Sequence, residues 1–300
     1  MNTTAKGEKR RAAFQTAYDA VLRSWPVTPE SRDVVTPGAT TRVQVWGDAA
    51  APPLVLLHGF KVTSTMWGPQ AAALGAIRRV YAPDTLGDYG FSRAERPPRS
   101  LPALLAWLGQ LLDALGLRRV DLGGMSYGGW LSASFAAEHP DRVGKLLLIA
   151  PGASFGTFSA AFALRGLPML LWKRRRFVDS YLRWAGVPPA DDAEYDAIMS
   201  GLVDVMHAGH RAFGGGLPLP ARLPEAAMRR IAAPTLLLYG DQEKMYAPGP
   251  AVARARAHIA TLEHAILPRA SHDLTMSQRA LVNQQLVRFL TRGDDQRPAG

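Results

Sequence analysis

The sequence predicts an α/β protein with a mostly parallel central sheet covered by helices on both faces, and three observations carry that expectation. Short runs of Val, Ile and Leu recur along the chain: PLVLL at 53–57, RVYAP at 79–83, RVDLGG at 119–124 and GKLLLIA at 144–150. Apolar runs of that length suit strands buried on both faces, as parallel strands are. Helical stretches near 101–115 and 128–138 alternate with these runs, which is the rhythm of βαβ units. The rhythm then stops at Pro151. It resumes with PTLLLYG at 234–240, a helix near 248–259, HAILP at 264–268 and a last helix near 276–291.

Each remaining element follows from its pattern. TRVQVW at 41–46 alternates like a half-buried strand. Near the N-terminus, Phe14, Ala17, Tyr18, Val21, Leu22 and Trp25 recur at helical spacing and Pro26 stops the run, giving an amphipathic helix expected to cover part of the core. Between Pro151 and residue 234 lie helical stretches at about 157–171, 175–185 and 191–207, then the breaker cluster GGGLPLP at 214–220. A helical insertion between core strands is expected to lie as a lid over the sheet's C-terminal edge, where open α/β sheets bind ligands. The expected organisation is a core of residues 1–151 and 234–300, N-terminal helix included, with a lid at 152–233. The tail GDDQRPAG at 293–300 is expected to be mobile.

Composition narrows the function. Three hundred residues, 47% hydrophobic and 20% charged, suit one large globular domain with an insertion. The absence of cysteine excludes disulfides, thiolate nucleophiles and sulfur-ligated metals. A net charge of +10 raises the question of nucleic acid or an anionic membrane. The one dense basic run is Lys173-Arg174-Arg175-Arg176, and Asp179, Asp191, Asp192, Glu194 and Asp196 follow it. With arginine otherwise scattered, the charge reads as solvated surface and no nucleic-acid partner is expected. The opening MNTTAKGEKR leads into no secretory apolar region, and no run approaches the ~20 apolar residues of a membrane span. A cytoplasmic protein without membrane insertion is the expectation.

Gly124-Met125-Ser126-Tyr127-Gly128 matches G-x-S-x-G at the junction of a predicted strand and a predicted helix. Glycines two before and two after let strand and helix approach closely. The tight turn between them strains the serine backbone, lifts its hydroxyl above the sheet and frees the next amide, Tyr127 N–H, to donate to an oxyanion. A serine there can also merely cap the helix; the flanking elements favour a nucleophile. Seven histidines compete to be its base. His58, His139, His207 and His210 precede the late strands, His258 sits in a predicted helix and His264 beside the last strand. Only His272 lies in the loop after that strand.

Taken in order, LLHGF, YAPDTLGDYGFS, GMSYGGW, LLLYGDQEKMYAP and LPRASH resemble the signposts of the α/β-hydrolase superfamily. The chain is most similar to bacterial carboxylesterase-type members that begin with a helix and a W-P-V segment, here Trp25-Pro26-Val27; the resemblance covers about residues 9–292 and is weakest in the insertion. It implies the α/β-hydrolase fold and a triad in the order Ser126, acid, His272. Ala270-Ser271-His272 is loosely similar to the family's G-A-G-H ending. The family's acid stands three residues after the strand-ending glycine, which favours Glu243, with Asp241 as the alternative. The second oxyanion donor falls to Phe60 N–H, with Gly59 permitting the turn and His58 stabilising it. The resemblance also places the stretch Asp84 to Ser92, one residue longer between its glycines than is common, in a structural loop near the site.

These residues imply a serine hydrolase that acts through an acyl-enzyme on small carboxylic esters and needs no metal or organic cofactor. Lactonase, acyltransferase, perhydrolase or C–C hydrolase activity on the same triad is the alternative, as is a ligand-binding regulatory protein on the same scaffold. Haloalkane dehalogenase is disfavoured because a serine stands where its carboxylate nucleophile would. The expected partner is a small ester-like molecule; oligomeric state is not legible. Phe155, Phe158, Phe162, Leu164, Leu167, Met169, Leu170, Leu171 and Trp172 could line an apolar acyl pocket, but many of them read as the insertion's own packing core in preference.

Overall fold

The Val- and Leu-rich runs form the middle of a nine-stranded sheet in a computed structural model that describes residues 2–214 and 216–292. The tail at 293–300 lies outside the described residues. In chain order the strands are β1 (Glu30–Thr36), β2 (Ala39–Trp46), β3 (Pro53–Leu57), β4 (Arg79–Pro83), β5 (Arg93–Ala94), β6 (Val120–Met125), β7 (Val143–Ile149), β8 (Thr235–Gly240) and β9 (Leu262–Leu267). The spatial order is β1-β2-β4-β3-β6-β7-β8-β9, with the short β5 beside β2. From β4 through β9 every pairing is parallel, whereas β1, β2 and β5 join antiparallel. Leu54, Leu56, Leu57, Leu122, Leu146, Leu148, Leu237 and Leu238 are fully buried, as central strands covered on both faces require.

The helices are α1 (Asn2–Arg23), α2 (Gly68–Gly75), α3 (Leu101–Ala114), α4 (Tyr127–Glu138), α5 (Ala160–Leu171), α6 (Arg175–Ala185), α7 (Ala193–Ala212), α8 (Glu225–Arg229), α9 (Pro248–His258), α10 (Leu274–Ser277) and α11 (Arg279–Thr291). On one face α3, α4, α8 and α9 pack in succession; α2 and α11 pair on the other. α3 shows the local logic. Ser100 caps it by accepting from Ala103 N–H, Pro102 sits in its first turn, and Leu104, Leu108, Leu111 and Leu112 form its buried stripe. α5 to α8 occupy the interval between β7 and β8, in the order expected of the insertion.

Two elements depart from the sequence reading. β1, ESRDVVT, has no apolar alternation because it is an exposed edge strand paired only to β2. Its hairpin turns at Gly38, whose φ of 72° suits glycine. α1 does more than cover the core. Phe14 and Tyr18 pack with Tyr89 and with Val205 of α7, so the helix joins the insertion to the loop that follows β4. Among the described residues no helix is long and apolar enough to cross a membrane.

Candidate active site

Ser126 stands between β6 and α4 with φ 52° and ψ −113°, a conformation costly for a side-chain-bearing residue. Its neighbours hold it there: Ser126 N–H donates to Ile149 O at 2.9 Å, and Ser126 O accepts from Gly152 N–H at 2.8 Å and Trp130 N–H at 3.0 Å. The two flanking glycines are demanded by contact. A Cβ on Gly124 would lie 2.3 Å from the Gly128 carbonyl carbon, and one on Gly128 would lie 2.1 Å from Leu57 O. Tyr127 opens α4, where first-turn N–H groups have no intrahelical acceptor.

His272 meets Glu243, and Asp241 stands elsewhere. Glu243 Oε2 accepts from His272 Nδ1 at 3.0 Å, while Oε1 accepts from Met245 N–H at 3.0 Å. The Glu243 side chain is fully buried. Asp241 is exposed and holds the turn by accepting from Ala270 N–H. Because Nδ1 faces a carboxylate it carries the proton, which leaves a lone pair on Nε2. That Nε2 is buried with no hydrogen-bond partner among the described residues.

The insertion grips both partners of this pair. Lys244 Nζ donates to Trp184 O at 2.7 Å and Gly186 O at 2.9 Å. His272 N–H donates to Ala185 O at 3.2 Å. Asp273 Oδ2 accepts from Val187 N–H at 3.1 Å and Tyr195 Oη at 2.8 Å. Four consecutive residues, Trp184 to Val187 at the end of α6 and just past it, are thereby tied to Lys244, His272 and Asp273. Gly186 fits between them, since a Cβ there would lie 2.5 Å from Asp273 Oδ2. Sequence reasoning did not find Lys244, Asp273 or Gly186; these contacts join segments 58 to 87 residues apart and leave no local signal.

Ser126 and His272 both line a cavity of about 220 Å³. Gly59 and Phe60 lie on the same wall. The insertion supplies much of the rest through Phe162, Met169, Tyr181, Leu182, Met199 and Met206. Seven of the chain's nine methionines line the cavity, so its surface is flexible as well as apolar. Among the described residues no lysine or arginine lines it, and no group of three His, Asp or Glu is placed to hold a metal ion. The aromatic and leucine-rich segment divides three ways: Phe158, Phe162, Met169 and Leu170 face the cavity, Phe155 is in the core, and Leu164, Leu167, Leu171 and Trp172 are exposed. The expectation that many of these residues form the insertion's own packing core is therefore corrected for Leu164, Leu167, Leu171 and Trp172, which no described residue covers on the outer side of α5.

The loops beneath the cavity are braced by buried polar groups. His58 Nδ1 donates to Gly59 O at 2.8 Å and Nε2 accepts from Thr85 N–H at 2.8 Å, so the ring holds the turn after β3. Asp84 accepts from Ser64 N–H, Phe91 N–H and Tyr18 Oη. Lys61, next to Phe60, has φ 59°; its N–H donates to Asp88 at 2.9 Å and its Nζ to Tyr89 Oη at 3.2 Å. Burial pushes the Asp88 carboxyl up and the Lys61 ammonium down.

A strained serine between a central parallel strand and a helix, on the same cavity as a histidine whose carboxylate partner comes from the preceding strand end, is the plan of an α/β hydrolase. Residues 52–274 match the family described as alpha/beta hydrolase fold, and the chain belongs to it. It is similar over nearly its whole length to two proteins of Bacillus subtilis (strain 168). Carboxylesterase YbfK is 29% identical over 289 residues, covering 93% of this chain and 94% of that one. The uncharacterized carboxylesterase nap is 30% identical over 281 residues, covering 92% and 91%. Among solved structures, carboxylesterase CesB (YbfK) from B. subtilis matches with a TM-score of 0.84 at 28% identity, covering 96% of this chain and 99% of that one. Naproxen esterase (carboxylesterase NP) from the same species gives 0.85 at 29% identity, covering 94% and 98%.

Proposed function

We propose that the protein is a carboxylesterase that cleaves small, neutral, apolar carboxylic esters through an acyl-enzyme on Ser126. The observation that carries this reading is the buried His272–Glu243 pair at 3.0 Å, set on the cavity that Ser126 also lines. Full-length similarity to carboxylesterases supports the reaction class. In this reading Ser126 Oγ attacks the ester carbonyl carbon while His272 Nε2 takes its proton. The amides of Phe60 and Tyr127 hold the oxyanion, and Glu243 stays ionised beside the imidazolium. The imidazolium then protonates the leaving alkoxide, and water attacks the acyl-enzyme along the same route. Residues 152–233 act as the lid that excludes bulk water from this chemistry.

The cavity wall supports neutral substrates in particular. A free carboxylate on the substrate would be buried with no cation beside it, at a cost of several kcal/mol. The methionine lining favours tolerance of acyl shape over rejection of close analogues. The test is turnover of p-nitrophenyl esters of graded acyl length by the native chain and by Ser126→Ala. Native turnover that falls about 10⁶-fold in the variant, with fluorophosphonate labelling lost alongside, is the expected outcome. Undiminished turnover in the variant would overturn the assignment.

A further inference from the structure

α5 is apolar on two sides, and only one of them is used. Phe162 and Met169 point from the helix into the cavity. On the other side Leu164, Leu167 and Leu171, spaced three and four apart, are 71%, 48% and 60% exposed, and Trp172 at the helix end is 51% exposed. With Leu170, these are five of the eight large exposed hydrophobic residues among those described. Isolated exposed apolar residues are ordinary on a soluble surface; a contiguous group is a contact surface.

Charge says what kind. No Asp or Glu occurs between Asp141 and Asp179, and the apolar stripe runs straight into Lys173, Arg174, Arg175 and Arg176, all exposed. Arg175 is engaged by Asp204 at 2.6 Å, while Arg176 lies over the ring of Phe177 with its charge still at the surface. From the apolar stripe, the terminal tryptophan and the adjoining cations we infer that this face docks onto an anionic lipid surface. A short amphipathic helix of this composition lies in the plane of a lipid interface, its Leu and Trp side chains among the acyl chains and its cations at the headgroups. Spanning is not involved: α5 has 12 residues. A second copy of the chain is a poorer occupant, because a two-fold contact through the stripe would bring two four-cation runs close together. The surface is independent of the catalytic reading, for Leu164, Leu167, Leu171 and Trp172 are not among the cavity-lining residues.

The test is flotation of the full chain with vesicles of phosphatidylcholine, with and without phosphatidylglycerol, at low and high salt. The native chain is expected to float with the anionic vesicles at low salt and to lose them at high salt, with a blue shift of tryptophan emission. Replacing Lys173, Arg174 and Arg176 together by serine should weaken partition about 10²-fold, at roughly fivefold per cation. Leu164→Gln with Leu171→Gln should abolish the emission shift. Unchanged circular dichroism and melting points establish that the variants fold, whatever their activity. Failure of the native chain to float with anionic vesicles, or equal partition of native and variant chains, overturns the proposal. A dimer in light scattering that the leucine variant dissociates also overturns it and assigns the face to a second copy.

Discussion

Tyr195 Oη donates to Asp273 Oδ2 across 2.8 Å, joining α7 of the insertion to the residue next to His272. The same carboxylate oxygen accepts from Val187 N–H, and the Asp273 side chain is nine-tenths buried or more. A buried carboxylate with two donors on one oxygen is held firmly, because losing either donor leaves charge that water cannot reach. Through the backbone that rigidity passes to His272.

Asp273→Asn should therefore act on turnover more than on binding. We expect kcat per active site to fall about 10- to 10²-fold with KM little changed, the scale on which small misplacements of catalytic groups act. Sites counted by fluorophosphonate titration separate this from loss of folded protein. Gly186→Ala, which presses a methyl against the same carboxylate, should do likewise. A fall explained wholly by fewer titratable sites would reduce Asp273 to a structural role.

Glu243 and Asp241 are only two residues apart and invite opposite outcomes. Glu243→Gln keeps the size of the side chain but removes the charge that supports the imidazolium, so kcat for p-nitrophenyl acetate should drop about 10⁴-fold. Asp241→Asn, which alters a turn contact to Ala270, should leave kcat within about twofold. A large loss in the second and none in the first would exchange their roles.

The central strands and the turn at Ser126 were readable because their determinants are local. Buried runs such as LLLI in β7 and the paired glycines around Ser126 leave a pattern within a few residues. β1 escaped because an exposed edge strand of Glu, Ser, Arg and Asp satisfies its backbone through β2 with no apolar face to show. The family resemblance favoured Glu243 over Asp241, and of the two only Glu243 bonds His272, a contact across 29 residues that no local pattern displays. The exposure of Leu164 and Leu171 could not be foreseen, since a helix that lines a cavity on one side and faces solvent on the other has the same sequence pattern as one packed on both. Contacts such as Lys244 to Gly186 depend on how far the insertion folds back, which no short window records.

His210 gives the fold an acid-sensitive point. It lies on α7, its Nδ1 within 3.1 Å of Tyr89 Oη, and its Nε2 is buried without a partner among the described residues. Burial, reinforced by the charges of Lys61, Lys173 and His207, pushes its pKa down to about 4 from the usual ~6.5. As pH falls through ~6.5 the unfolded chain takes up this proton, whereas the folded chain does not until about 4. The unfolded state therefore binds more protons in that window, and stability falls as pH falls. The contribution is complete above ~6.5 and is lost progressively toward about 4. His210→Gln keeps a partner for Tyr89 without a titrating ring. Melting midpoints taken at neutral pH and again inside the window should therefore fall less in the variant than in the native chain, by roughly 2–4 °C. Parallel losses in the two proteins would show that the imidazole is protonated within the fold and that the acid sensitivity originates elsewhere.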